Sequence, residues 1–384
     1  MRRQLAVVFT IVFVDLVGFG IVLPLMPAFA ASYGISPLAI GVLVTSFSLL
    51  QLLVSPLWGS LSDRVGRRPV LLIGLAGSTA SYVMFALAHD FWMLLASRVL
   101  AGAMGATVGV AQAYVADITP PERRAHSMGI LGAAFALGFI LGPAIGGVLY
   151  SHSHSAAGFA AAALCGANAL AALIWLPETG QHSISRRRGR PPLVPLAAPL
   201  AATFLLITAF AVIHVSLPLL AQREMGLSSR RLGVLFAFSG VISAIVQGGL
   251  VGWMARLVGE TRVAVAGALL MAVGLALFPG SGHTGDLYLA LALLSTGSAA
   301  SNPSILAGIS RLTDSHLQGS AMGLAQTAQN LGRVVGPFCA GALYGSFGRA
   351  APFFAGSGIA LLGALAASFI PSHQRMAERT AAPA

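Results

Sequence analysis

Four ionisable side chains stand inside long apolar stretches of this chain: Asp15, Arg98, His214 and Arg333. Charge at membrane depth is costly, so an embedded ionisable residue is by default a functional one. Asp15 lies about ten residues into its stretch, hence ~15 Å deep at the helical rise per residue, and no other carboxylate approaches the midplane. Apolar surroundings favour its neutral form, and a neighbouring Arg98 guanidinium its charged form. A carboxyl group held between those pulls can load a proton on one side of a membrane and unload it on the other. The competing reading is a permanent Asp15–Arg98 ion pair that stabilises the fold. Arg333 ends a polar stripe of Gln326, Gln329 and Asn330 spaced as one helical face, and with His214 these residues are expected to line a substrate cavity. Shorter stripes, Ser48, Gln51, Ser55 and Ser239, Ser243, Gln247, read as hydrogen-bonding glue between helices. His214 is expected to be a polar residue, not a metal ligand. His152 and His154 are two histidines where zinc takes about four ligands. No metal site is expected.

The elements that hold these groups follow from composition. The 384 residues are 57% hydrophobic and 9% charged, with a mean hydropathy of +0.85, whereas a soluble domain carries roughly 25% charged residues. Too few charges exist to wet a globule, so lipid is the expected solvent. All 22 basic residues are arginine. Without lysine the chain can form neither a Walker phosphate loop nor a Schiff base. This argues against an ATP-driven pump and against an enzyme of that kind; no cofactor is expected. The net charge of +11 lies in short loops between apolar runs, which reads as membrane topology and not as nucleic-acid binding. Cys165 and Cys339 sit inside apolar segments as small core residues.

About 20 apolar residues span a bilayer core of ~30 Å as a helix. Twelve such runs occur: 5–30, 38–61, 69–88, 91–116, 127–149 and 157–176, then 198–221, 231–255, 262–280, 286–308, 320–345 and 350–371. The first is too long for a signal peptide, carries Asp15 mid-run and leads straight into the second, so it is read as a helix. With the N-terminus inside, Arg2, Arg3, Arg64, Arg67, Arg68, Arg123, Arg124, Arg186, Arg187, Arg188, Arg190, Arg256, Arg262, Arg311, Arg375 and Arg379 fall on the cytoplasmic side. Only Arg223, Arg230, Arg231 and Arg349 fall outside. Both termini are then cytoplasmic. The polar segment 177–197, with its Arg186-Arg187-Arg188-Gly189-Arg190 cluster, reads as a solvated linker that anchors to anionic lipid.

Sliding the sequence by about 193 residues brings a duplication into register. Leu23-Pro24-Leu25 meets Leu217-Pro218-Leu219, and Gly59, Gly66 and Gly74 meet Gly252, Gly259 and Gly267. Met128-Gly129, Gly138, Gly142-Pro143 and Gly147 meet Met322-Gly323, Gly332, Gly336-Pro337 and Gly341. The expected architecture is an all-α membrane protein of twelve transmembrane helices in two six-helix pseudo-repeats. Residues 1–176 form the first half, 177–197 the linker and 198–384 the second half. Two parallel repeats that face a midplane cavity and rock give alternating access.

The segment Gly59-Ser60-Leu61-Ser62-Asp63-Arg64-Val65-Gly66-Arg67-Arg68-Pro69 follows the pattern Gly-x-Leu-x-Asp-Arg-x-Gly-Arg-Arg/Lys. Further matches are Gly138-x-x-x-Gly142-Pro143-x-x-Gly146-Gly147, Arg98-x-x-x-Gly102, and Asp15-Leu16-Val17-Gly18-Phe19-Gly20 through Pro24. On these residues the chain resembles the major facilitator superfamily, and within it the drug:proton antiporters near the tetracycline efflux proteins. The resemblance covers essentially the whole chain. It implies a cytoplasmic gate in the loop after the second helix, with Arg67 paired to Asp117 and Asp63 facing the N-terminal end of the eleventh helix near Gln318 and Gly319. Gly59 would let the second helix approach a neighbour closely. In the second half Arg256 replaces the aspartate, so a weaker or absent gate contact is expected there. The glycines of the fifth helix permit tight crossing and Pro143 a bend. Packing face and antiport determinant describe that stripe equally well.

The reading that results is proton-coupled export of a small, amphipathic drug or metabolite by a monomer in a bacterial inner membrane. Its partners would be that small-molecule substrate, protons and membrane lipids, with no nucleic acid. Two embedded arginines against one aspartate suit a neutral, zwitterionic or anionic substrate better than a strongly cationic one. The alternatives are uptake or facilitated passage of a nutrient such as a sugar or organic acid, and a non-transporting membrane sensor or lipid-handling protein; fold does not decide among them.

Overall fold

Long apolar runs lacking two-residue alternation fold as helices, because in lipid a helix satisfies its own backbone. In the computed structural model, described over residues 2–22, 26–27, 30, 33–105, 107–120, 123–178, 191–314 and 317–371, every regular element is helical. The Leu23-Pro24-Leu25 element of the repeat and the linker arginines Arg186, Arg187, Arg188 and Arg190 lie outside the described residues, as do Arg375 and Arg379.

The first half runs α1 (Arg2–Val22), α2 (Pro37–Val65), α3 (Arg67–Ala86), α4 (Phe91–Met104), α5 (Thr107–Ile118), α6 (Arg124–Tyr150) and α7 (His154–Trp175). The second runs α8 (Leu193–Ala211), α9 (Ile213–Leu219), α10 (Ser229–Ile245), α11 (Val251–Val258), α12 (Glu260–Leu277), α13 (Thr284–Arg311), α14 (Gln318–Phe347) and α15 (Ala351–Ser368). Side-chain caps start several of them. Ser36 Oγ accepts from Ala39 N at 3.3 Å, Asp90 Oδ1 from Met93 N at 2.7 Å, and Ser153 Oγ from Ala156 N at 3.0 Å, as N-caps do.

Among the described residues ten segments are long and apolar enough to cross a bilayer. The two remaining long helices, α13 of 28 residues and α14 of 30 residues, are long enough at about 1.5 Å per residue. Serines and Asn302 on α13, and Gln326, Gln329, Asn330 and Arg333 on α14, dilute their apolarity. Outward-facing large apolar side chains such as Leu53, Leu57, Trp92, Ile174 and Phe369 are more than half exposed, as lipid-facing residues are.

The fourth run, 91–116, is matched by one membrane-long span, Phe91–Ile118, to which α4 and α5 both belong. From α2, Gln51 Nε2 donates to Gly105 O at 2.7 Å, and Trp58 Nε1 donates to Ala103 O at 2.6 Å. Gln51 is thus interhelical glue. The seventh run begins earlier, at Leu193, and closes in a π-helical turn at Leu220–Glu224; the eighth begins at Ser229 and is interrupted by one at Val246–Leu250. The gate sequence is not a loop. Gly59–Val65 belongs to the last two turns of α2, and Gly66 alone, at φ 101°, joins α2 to α3. Its repeat partner Gly259, at φ 86°, joins α11 to α12 in the same way. Both need the left-handed backbone that glycine adopts without cost.

By packing the chain forms two units, Met1–Arg186 with Leu217–Gly240, and Arg187–Ser216 with Val241–Ala384.

Candidate functional site

In the first unit the embedded acid on α1 is met by α7. Cys165 Sγ lies 3.5 Å from Asp15 Oδ1, a weak thiol donor against a carboxyl group. One turn along α7, buried Asn168 donates from Nδ2 to Ile11 O at 2.9 Å, and its own Oδ1 has no hydrogen-bond partner. Tyr82 of α3 is buried with its ring against Gly18, where an added Cβ would lie 3.2 Å from the ring. Its phenol is within electrostatic reach of Asp15, Cys165 and Arg98.

Arg98 is 2% exposed. Its guanidinium lies 5.4 Å from the Phe85 ring centre, its Nε donates to Ser97 Oγ at 3.3 Å, and Nη2 has no hydrogen-bond partner. Among the described residues no ion pair joins it to Asp15, so the permanent pair allowed by the sequence is not formed in this structure. Each charge is instead placed near Tyr82, a residue the sequence reading passed over. Cys165 and Asn168 were missed in the same way, because nothing in a chain separation of 150 residues signals that α7 faces Asp15.

The expected Arg67–Asp117 pair is present. Arg67 Nε meets Asp117 Oδ2 at 2.9 Å, and Nη1 meets Asp63 Oδ1 and Ser62 Oγ, each at 2.6 Å. A fourth partner comes from beyond α7: Glu178 Oε1 accepts from Arg67 N at 2.9 Å and from Arg68 N at 3.4 Å. It caps the N-terminal end of α3, where a carboxylate is favoured. A Cβ on Gly66 would lie 2.7 Å from that carboxylate, a second reason for glycine there. Glu178 carried a faint signal, an acid directly after the sixth run among arginines. Arg68 Nη2 donates to Leu173 O at 2.6 Å. Arg64, by contrast, joins no ion pair among the described residues and stands in the last turn of α2. The reason given for Gly59 is corrected too: a Cβ there would meet nothing within 4 Å. The close approach to α2 is made by Gly102, whose Cβ would press on Phe47 O.

In the second half Arg256 stands in the aspartate's place and joins no ion pair among the described residues, while the Arg67–Asp117 contact has a counterpart of its own. Glu260, first residue of α12, pairs with Arg311, last residue of α13. These positions match Arg67, first of α3, and Asp117, in the last turn of α5. Arg256 likewise matches Asp63. An acid–base–acid set in one half answers to base–acid–base in the other, so the pair survives with its signs exchanged.

The glycine stripe of α6 packs on α1. Added Cβ atoms would lie 2.6 Å from Leu16 Cβ at Gly138, 2.7 Å from Gly20 Cα at Gly142 and 2.5 Å from Ile21 O at Gly146; at Gly147 one would lie 3.0 Å from Gly233 Cα. Pro143 sits inside the helix with its carbonyl against Gly233. In the second unit Gly332 and Gly336 approach Thr208 and Ala211 of α8 equally closely, so the duplicated stripe is a packing device in both copies. Gly142→Val is expected to lower the melting temperature and folded yield, because overpacking costs about 1–3 kcal/mol. Gly129→Ala, with nothing within 4 Å, should leave both unchanged. Equal melting of the two variants would overturn the assignment.

On α14 the structure gathers part of the stripe. Gln326 Nε2 and Arg333 Nη1 both donate to Asn330 Oδ1, at 3.2 Å and 3.3 Å, and Gln329 is buried beside them. His214 Nδ1 lies 3.2 Å from Ala211 O, and the ring is within electrostatic reach of Arg333.

Ten apolar segments long enough to cross a bilayer, with charges held among them, define a class, the multi-pass membrane proteins. Within it the chain belongs to the major facilitator superfamily, whose sequence profile matches residues 8–256 and 200–383. It is 32% identical over 360 residues to the class E tetracycline resistance protein of Escherichia coli, covering 90% of this chain and 88% of that protein. It is 26% identical over 371 residues to the quinolone resistance protein NorA of Staphylococcus aureus, covering 94% and 95%. Among solved structures it resembles the human organic anion transporter MFSD10 with a TM-score of 0.71 and 28% identity, covering 95% of this chain and 99% of that one. The chain is accordingly a multi-pass membrane transporter of this superfamily.

Proposed function

We propose that the chain is a proton-coupled exporter of small, amphipathic organic compounds, working as a monomer by alternating access in a bacterial inner membrane with both termini cytoplasmic. The observation that carries this reading is the state of Asp15: a carboxyl group at membrane depth whose contact is a thiol and not a cation. A carboxylate locked in an ion pair has little reason to take up a proton, whereas one beside a neutral donor exchanges it at modest cost. Arg98 and Tyr82 then supply the charge and the dipole that respond when Asp15 ionises. The Arg67 cluster is the cytoplasmic latch, and twelve helices in two six-helix halves are the frame. Resistance-protein relatives and the arginine bias across the loops support the direction and the membrane.

The test is reconstitution into liposomes with an imposed pH gradient and a panel of amphipathic compounds that includes a tetracycline and a quinolone. Substrate accumulation that follows the gradient, with proton release on substrate addition, is the expected result. Transport indifferent to the gradient would mean facilitated passage instead.

A further inference from the structure

The two copies of the duplicated unit share their packing residues but not their polar ones. At the offset that aligns Gly138 with Gly332 and Pro143 with Pro337, the residues Gln326, Gln329, Asn330 and Arg333 stand where α6 has Gly132, Phe135, Ala136 and Phe139. The polar face of α14 is therefore not required for the helix to pack. It was added in one half only.

Its direction follows from helix geometry. Residues seven apart share a face, and residues two apart lie roughly 200° apart around the axis. Leu331 and Phe338, seven apart, are 42% and 46% exposed and make the apolar outer face of α14. Gln326 and Arg333, also seven apart, are exposed as well, and Arg333 lies on nearly the opposite side from Leu331. An arginine turned to acyl chains would be costly; this one is turned away from the face that meets them. Among the described residues no carboxylate pairs with Arg333. Among the described residues its hydrogen bond is the one from Nη1 to Asn330 Oδ1, which also holds Gln326. The guanidinium is thus held from one edge, with its remaining N–H groups unengaged on an exposed polar face.

We propose that Arg333, held by Asn330 and flanked by Gln326, is the binding site for an oxyanion group, of carboxylate type, on the transported compound. A planar fork with two unengaged N–H groups matches a carboxylate in a bidentate way that an ammonium cannot reproduce. The proposal deepens the transport reading and rests on it only for the word transported. Binding itself needs no gradient.

The experiment measures binding of dansylglycine and of its methyl ester to the purified, detergent-solubilised full chain by dansyl fluorescence, at equal pH on both arms. The pair differs by one negative charge. Wild type is expected to bind the acid about tenfold more tightly than the ester, the scale of one charge-assisted interaction. Arg333→Gln should remove that preference at unchanged melting temperature, and Arg333→Lys should keep part of it. Equal binding of acid and ester by wild type, or a preference that survives in folded Arg333→Gln, would overturn the proposal. An acid preference combined with gradient-independent transport would leave the anion site standing and remove proton coupling instead.

Discussion

Asp15→Asn is expected to abolish pH-gradient-driven transport, bringing accumulation down to that of protein-free liposomes, while substrate binding persists. The amide keeps the size and hydrogen-bonding capacity of a protonated carboxyl group but can neither release nor take up the proton. The neighbours set the specificity of this result. Cys165 gives Asp15 only a thiol contact at 3.5 Å, so Cys165→Ala should change the pH dependence of transport without ending it. Substrate counterflow, which needs no net proton movement, should survive in Asp15→Asn. Retention of active accumulation would remove Asp15 from the proton path. Loss of counterflow together with folding would return it to a structural role.

Arg67 is expected to show the second-largest effect, because one planar group serves three partners on α2 and α5. Removing it leaves Asp117 and Asp63 without their cation. Breaking a buried pair from one side costs about 3–5 kcal/mol, and the lower end applies, since the Asp63 side chain is 33% exposed. Arg67→Ala should therefore lower the melting temperature and transport together. Arg67→Lys should recover less than half of the loss, because an ammonium cannot engage Asp63, Ser62 and Asp117 from one fixed fork. The second half offers a sharper test, since Glu260 and Arg311 hold the matching positions with exchanged signs. The triple change Asp63→Arg, Arg67→Glu, Asp117→Arg copies that polarity. It should melt closer to wild type than Arg67→Glu alone, short of full recovery because Ser62 and Glu178 are tuned to a base at 67. A lysine variant as stable as wild type, or a triple variant no better than the single, would show that the cluster is not a latch.

Much of this was legible in one dimension. Helices, their approximate ends and the duplication follow from composition and from the spacing of glycine and proline, because a bilayer lets the backbone satisfy itself in few ways. The Arg67–Asp117 pair came from motif resemblance, and it stands in the structure. What stayed illegible depends on which helix faces which. Cys165, Tyr82 and Asn168 are ordinary residues until α7 and α3 turn them toward α1. Glu178 is an ordinary acid until it reaches the start of α3. The exchanged signs at Arg256, Glu260 and Arg311 are visible as letters, yet the Glu260–Arg311 pairing is not, because a charge has meaning only beside its partner and the partner lies about fifty residues away. Sequence by itself determined the solvent, the repeat and the identity of the buried charges. The tertiary structure alone decided their neighbours, and whether a buried acid is locked in an ion pair or able to exchange its proton depends on those neighbours, since Coulomb and desolvation energies are set by distance and surroundings.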